Sequence, residues 1–105
     1  MKTYQHFING AYVEPIGGQW IDTLDPYTGK AWARIPRGCN QDVDAAVEAA
    51  TRALHEGPWA TMTATQRGKL MLKLADLVTA HAERLAEIEV RDNGKLMAEM
   101  RGQVN

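Results

Sequence analysis

A chain of 105 residues has room for one domain, and a compact domain of that size buries roughly 60 to 70% of the surface its unfolded chain exposes. Apolar content of 45% and charged content of 24% sit near globular averages and argue against a disordered or membrane-embedded chain. The formal net charge of −1, with Lys and Arg dispersed among acids, leaves no basic stripe for nucleic acid.

The first part of the chain, 1–37, reads as short strands separated by turns: 5–8, 11–13, 20–24 and 31–35. Asn9-Gly10 suits a two-residue hairpin turn, and Gly17-Gly18 gives a second reversal. In Trp20-Ile21-Asp22-Thr23-Leu24 the β-branched and aromatic residues favour an extended backbone, which Asp25-Pro26 ends because proline donates no ladder hydrogen bond. Four such strands predict an antiparallel layer of hairpins. The segment before them, Met1 to His6, lacks the apolar core of a signal peptide, so a cytoplasmic location is expected. The single cysteine, Cys39, agrees with a reducing compartment.

After Pro36-Arg37-Gly38 the apolar period changes from two to 3.6, and 38–105 reads as helices. Val43, Ala46, Val47, Ala50 and Leu54 line one face of the first, behind Asn40 as candidate N-cap, and Gly57-Pro58 stops it. The next opens on the capping box Thr63-Ala64-Thr65-Gln66 and carries the stripe Leu70, Met71, Leu74, Leu77 and Val78. A further helix runs through Ala82, Leu85, Ala86 and Ile88, with Glu87 and Arg91 spaced for an i,i+4 pair, and Asn93-Gly94 ends it. Met97, Met100 and Val104 resume the helical spacing, and the pattern is cut at Asn105 without a stop signal.

Enzyme motifs are absent: no G-x-G-x-x-G follows a strand, and there is no P-loop, no G-x-S-x-G elbow and no H-E-x-x-H pair. Cys39 has only Arg37 as a nearby cation in sequence and reads as a surface thiol beside a helix start. His6, His55 and His81 share no metal-ligand spacing and read as solvated polar residues. Trp20, Trp32 and Trp59 read as packing residues, and Met71, Met97 and Met100 as core or interface.

Several segments in fixed order carry a more specific signal. Phe7-Ile8-Asn9-Gly10, Asp25-Pro26-Tyr27-Thr28-Gly29, Asp42-Val43-Asp44-Ala45-Ala46-Val47, Gly57-Pro58-Trp59, Arg67 with Leu70 to Asp76, and Asp92-Asn93-Gly94-Lys95 together resemble the amino-terminal part of the NAD(P)-dependent aldehyde dehydrogenase family. The resemblance spans nearly the whole chain. It implies an α/β fold in which N-terminal antiparallel β hairpins are followed by three to four α-helices, an incomplete portion of a Rossmann-like cofactor-binding domain. It also implies that the full-length enzyme oxidises an aldehyde to a carboxylic acid with NAD or NADP. The family's nucleophilic cysteine, general base, oxyanion-stabilising asparagine and dinucleotide-contacting segments lie beyond the matched region. No catalytic or cofactor-binding residue is therefore expected here, and Cys39 lacks the family's Gly-Gln-x-Cys setting.

One feature carries over by resemblance. Several members hold a monovalent cation through backbone carbonyls before the first Asn/Asp-Pro turn and the acid of the Asp-Asn-Gly-Lys segment, which here implies Thr23, Leu24 and Asp92 as a partial Na+ or K+ site. The alternative for Asp92 is a carboxylate accepting hydrogen bonds at a helix end. The expected partner of the helical faces is the remainder of such a chain or another copy of this one. The competing function is a free-standing oligomerisation module derived from the family.

Overall fold

The structure, a computed structural model, describes residues 1–104; Asn105, and the Val104 side chain expected on the last apolar face, lie outside the described part. In chain order it comprises β1 (Lys2–Thr3), β2 (His6–Ile8), β3 (Ala11–Val13), β4 (Trp20–Leu24), β5 (Ala31–Pro36), α1 (Asn40–His55), α2 (Pro58–Thr61), α3 (Ala64–Ala80), α4 (Ala82–Asn93) and α5 (Met97–Val104). Strands followed by helices are the α/β order expected, with α2 a single turn between the longer helices. Two compact units emerge, one of Met1–Thr23 with Ala31–Met62, the other of Leu24–Lys30 with the chain from Thr63 onward.

In the first unit β2 and β3 form an antiparallel hairpin with His6 opposite Val13, Phe7 opposite Tyr12 and Ile8 opposite Ala11. Its turn puts both Asn9 (φ 54°) and Gly10 (φ 74°) at positive φ, the requirement of a two-residue turn that matches strand twist. The Phe7 and Tyr12 rings lie 5.1 Å apart on an exposed face, a cross-strand pair worth roughly 0.2–1 kcal/mol. The remaining strands do not extend this hairpin into one antiparallel layer. They form a second sheet in the order β1-β5-β4, and β1 runs parallel to β5 with Lys2 opposite Ala33 and Thr3 opposite Arg34. A strand of two residues shows no alternation, so the sequence carries no periodic trace of it.

Ala33 at the centre of β5 is fully buried, and the aromatic residues pack around this strand. Trp32 meets Tyr4 edge-on at 6.2 Å, while the Arg34 guanidinium lies 4.4 Å from the Trp20 ring centroid. Packing is thus the use found for two of the three tryptophans.

Helix α1 differs from expectation at its start and in its facing. Its N-cap is Cys39 rather than Asn40, because Asp42 reaches back to accept from the Cys39 N–H at 3.0 Å. The stripe of Val43, Val47 and Leu54 faces out, at 58%, 58% and 60% exposure, while Asp42, Ala45 and Ala49 turn inward. Small side chains let the helix approach the hairpin, so the closest face is not the most apolar one.

In the second unit α3 starts as the sequence dictates. Thr63 Oγ1 accepts from the Gln66 N–H at 3.2 Å, and Gln66 Oε1 accepts from the Thr63 N–H at 2.9 Å, which satisfies two otherwise orphaned donors. Thr63→Ala is expected to lower stability by about 1 kcal/mol, read as a drop in the urea midpoint at unchanged slope. An unmoved midpoint would show the box to be energetically idle. No residue of α3 is buried. Instead α4 packs on α5, and Ala82 and Ala86 of α4 and Met100 of α5 are buried, the last only 1% exposed. The ion pair of Arg101 Nε with Glu83 Oε1 at 2.8 Å bridges the same two helices, but both side chains are more than half exposed and the pair adds little.

Candidate functional site

The residues singled out as a partial cation site are carried by two different elements. Thr23 and Leu24 are the last two residues of β4, and Asp92 occupies the final turn of α4. Leu24 and Asp92 belong to the second unit, Thr23 to the first.

The turn after Leu24 is tightly defined. Asp25 Oδ1 accepts from the Tyr27 N–H at 2.8 Å, the Asp25 carbonyl from the Gly29 N–H at 2.8 Å, and the Lys30 carbonyl from the Asp25 N–H at 2.9 Å. Pro26 sits where its fixed φ suits a turn and where no ladder donor is needed. At the end of α4 the Gly94 N–H donates to the Val90 carbonyl at 2.8 Å with Gly94 at φ 75°, an αL cap. Asn93 Oδ1 accepts from the Lys95 N–H at 2.9 Å and closes the corner. The two corners touch: a Cβ built on Gly94 would stand 3.2 Å from Pro26 Cβ and 3.4 Å from its Cγ. The Asp25-Pro26 and Asn93-Gly94 signatures, far apart in sequence, are therefore one packed feature.

A second cluster, in the first unit, has no counterpart among the sequence expectations. Asp42, 3% exposed, accepts from the Ile16 N–H through Oδ1 at 3.1 Å and from the Cys39 N–H through Oδ2 at 3.0 Å. The Cys39 thiol donates to the same Oδ2 at 3.3 Å and to Gln41 Oε1 at 3.4 Å. His6 Nε2 stands 3.6 Å from Oδ2, buried and without a hydrogen bond. Donated bonds from the Cys39 and Ile16 amides, opposed by burial, hold the Asp42 carboxyl below its ordinary value of 3.8, with the thiol and His6 adding to the effect. The signal that could have found it is Cys39-x-x-Asp42, a capping box with sulfur where serine is usual. His6, read as a solvated polar residue, and Cys39, read as a surface thiol beside a helix start, are thus drawn to a buried carboxylate. Their arrangement ties a helix start to a hairpin and its following turn, and it aims no nucleophile at an open space. Among the described residues no group of three or more His, Cys, Asp or Glu side chains is arranged to hold a metal ion.

An open groove of about 440 Å³ runs along α1, with Ile8, Val13 and Ala45 on its walls. Its charged lining is Glu14, Asp42, Glu48 and Arg52, and the Arg52 guanidinium is already paired with Glu48 at 2.9 Å. Three carboxylates against one neutralised cation do not fit the pyrophosphate of a dinucleotide, which needs open backbone amides or free cations. Among the described residues no helix is long and apolar enough to cross a membrane.

Comparison with known proteins bears on the whole of this framework. The profile of the aldehyde dehydrogenase family matches residues 12–105. The chain is 41% identical over 104 residues to a (Z)-2-((N-methylformamido)methylene)-5-hydroxybutyrolactone dehydrogenase of Acinetobacter baylyi, covering 99% of this chain and 21% of that protein. It is 41% identical over 98 residues to acetaldehyde dehydrogenase 2 of Cupriavidus necator, covering 93% of this chain and 19% of that one. Among solved structures, the NAD-dependent aldehyde dehydrogenase from Sinorhizobium meliloti superposes with a TM-score of 0.93 at 38% identity, over 99% of this chain and 21% of the other. The chain spans about a fifth of the length of the relatives it matches.

Proposed function

We propose that this chain, which belongs to the aldehyde dehydrogenase family, is the structural amino-terminal portion of the cofactor-binding domain of an NAD(P)-dependent enzyme that oxidises an aldehyde to a carboxylic acid. The observation that carries the reading is the match of almost the whole chain, in sequence and in backbone, to one fifth of such enzymes. The chemistry of its own residues supports a silent, scaffolding role. Cys39 serves a helix cap, the groove along α1 does not suit a dinucleotide, and the buried polar cluster is occupied with backbone amides. Hydride acceptance would be supplied by NAD or NADP bound to other parts of the enzyme. A cytoplasmic setting fits the single free thiol.

The test joins this chain, through its last residue, to the remaining four fifths of the Sinorhizobium meliloti enzyme. The chimera is expected to form NADH from NAD+ and an aldehyde, followed by absorbance, while the 105-residue chain alone forms none. A soluble chimera that is silent where its parent turns over, or turnover by the chain alone, would overturn the reading.

The same reading includes a monovalent cation held by the Thr23 and Leu24 carbonyls and the Asp92 carboxylate. Hard oxygen donors suit Na+ or K+, and the seating of Gly94 on Pro26 supports it by drawing the end of α4 onto the turn after Leu24. In the chimera, Asp92→Ala is expected to abolish the dependence of the thermal midpoint on K+ or Na+ relative to a bulky organic cation. Retention of that dependence removes Asp92 from the site.

A further inference from the structure

We infer that Asn9 is a site of spontaneous covalent modification, converting through a cyclic imide to aspartate and isoaspartate, while Asn93 in the chain's other Asn-Gly pair is protected. The inference does not depend on the family role proposed above. Asparagine followed by glycine is open to this reaction because no side chain on the second residue shields the backbone nitrogen that attacks. The sequence holds two such pairs, Asn9-Gly10 and Asn93-Gly94, and does not rank them.

The chemistry closes without an oxidant or a reductant. The Gly10 amide nitrogen, once hydroxide has taken its proton, attacks the Asn9 side-chain carbonyl carbon. The new N–Cγ bond displaces the NH₂ group, which takes up a proton and leaves as ammonia. Water then opens the five-membered imide. Cleavage of N–Cγ gives aspartate, whereas cleavage between the nitrogen and the Asn9 backbone carbonyl carbon gives isoaspartate, in which the main chain runs through the side-chain methylene. Either way water is consumed, ammonia is released and a carboxylate replaces a neutral amide.

Asn93-Gly94 is held against each of these steps. The Asn93 Nδ2 group, which would leave, donates to Glu89 Oε2 at 2.9 Å, and its Oδ1 accepts from the Lys95 N–H at 2.9 Å. The Gly94 N–H, whose proton must be lost, donates to the Val90 carbonyl at 2.8 Å, and a Cβ on Gly94 would stand 3.2 Å from Pro26 Cβ. At Asn9-Gly10 both residues are exposed, and nothing lies within 4 Å of a Cβ built on Gly10. Among the described residues neither the Asn9 side chain nor the Gly10 N–H makes a hydrogen bond. Ring closure requires Asn9 to leave its left-handed conformation, φ 54°, and at the tip of a hairpin of three-residue strands that opening is local. The two products differ in outcome. Aspartate tolerates the left-handed turn as asparagine does, whereas isoaspartate lengthens the turn by one backbone atom and breaks the register that sets Phe7 opposite Tyr12.

The experiment holds the full chain in mildly alkaline buffer, folded and in urea, and follows both sites by mass spectrometry of tryptic peptides, in which Thr3–Lys30 carries Asn9 and Asp92–Lys95 carries Asn93. In the folded chain Asn9 is expected to convert at least about tenfold faster than Asn93, whose three hydrogen bonds must break first. In urea the two rates are expected to lie within about twofold of each other, since no native hydrogen bond then protects either site. An isoaspartyl methyltransferase with labelled S-adenosylmethionine should mark Thr3–Lys30 from the aged folded chain, and Asn9→Gln should remove the label, because glutamine closes a six-membered ring far more slowly. Equal rates at the two sites in the folded chain, faster conversion of Asn93, an Asn9 that stays intact while the urea sample converts, or labelling undiminished in Asn9→Gln would each overturn the inference.

Discussion

Replacing Asp42 with asparagine is expected to lower the thermal midpoint of the chain by more than Thr63→Ala does, and to take away an acid-sensitive part of its stability. Thr63 serves one exposed helix end through a single hydroxyl. Asp42 serves the N–H groups of Ile16 and Cys39 and the Cys39 thiol from a position 3% exposed, so its loss leaves buried donors without acceptors. Asparagine retains one acceptor oxygen and places an NH₂ group against the remaining donors, so it repairs at most part of the cluster. The groups that face the carboxylate are the Cys39 thiol and the His6 imidazole, with Gln41 sharing the thiol proton.

The pH dependence follows in sign from the lowered carboxyl pKa. The folded form ionises more readily than the unfolded one, so the carboxylate's contribution is fully present above 3.8 and is lost as pH falls through that value to the lower folded one. The midpoint difference between the parent and Asp42→Asn should therefore be constant near neutral pH and shrink below 3.8. A gap that persists unchanged in acid would show that packing, not the charge, fixes this corner.

What could be read in the sequence divides by the range of the physics involved. Asn9-Gly10, Thr63-Ala64-Thr65-Gln66 and Asn93-Gly94 each fix a backbone conformation through neighbours within a few residues, and the hairpin turn, the α3 cap and the α4 stop all stand where those residues place them. The parallel pairing of β1 with β5 depends on two strands about thirty residues apart, one too short to show a period. The inward face of α1 departs from its apolar pattern for a related reason. Hydrophobic spacing identifies the side that an apolar partner would cover, whereas here close approach to the hairpin selects Ala45 and Ala49, and Val43 and Val47 stay in solvent. The buried cluster leaves only the faint trace of Cys39-x-x-Asp42 in the sequence, because His6, Ile16, Cys39 and Asp42 converge only once the hairpin is placed against α1, and because sulfur stands where a cap hydroxyl is usual. The family, by contrast, is readable from several corner motifs in fixed order, since each corner tolerates few residue types.

Gly94→Ala is the second substitution with a large expected effect, and its size separates two causes. Any side chain at φ 75° carries the strain of the left-handed region, about 1–2 kcal/mol for an L-residue. Gly29, in the same unit, sits at φ 70° with nothing within 4 Å of the place a Cβ would take, so Gly29→Ala registers that backbone strain alone. At Gly94 the new methyl would also press on Pro26 Cβ at 3.2 Å, and the rigid ring cannot turn aside as a flexible side chain would. Overpacking of this kind adds about 1 kcal/mol or more, so Gly94→Ala should be the more destabilising by at least that margin in paired urea titrations. The strain falls at the corner where the end of α4 rests on the turn that follows Leu24, so in the chimera the same variant should weaken the cation dependence while Gly29→Ala leaves it in place. Equal losses from the two alanines would mean that Pro26 yields, and that the contact between the turn and the helix end does not fix the position of Asp92.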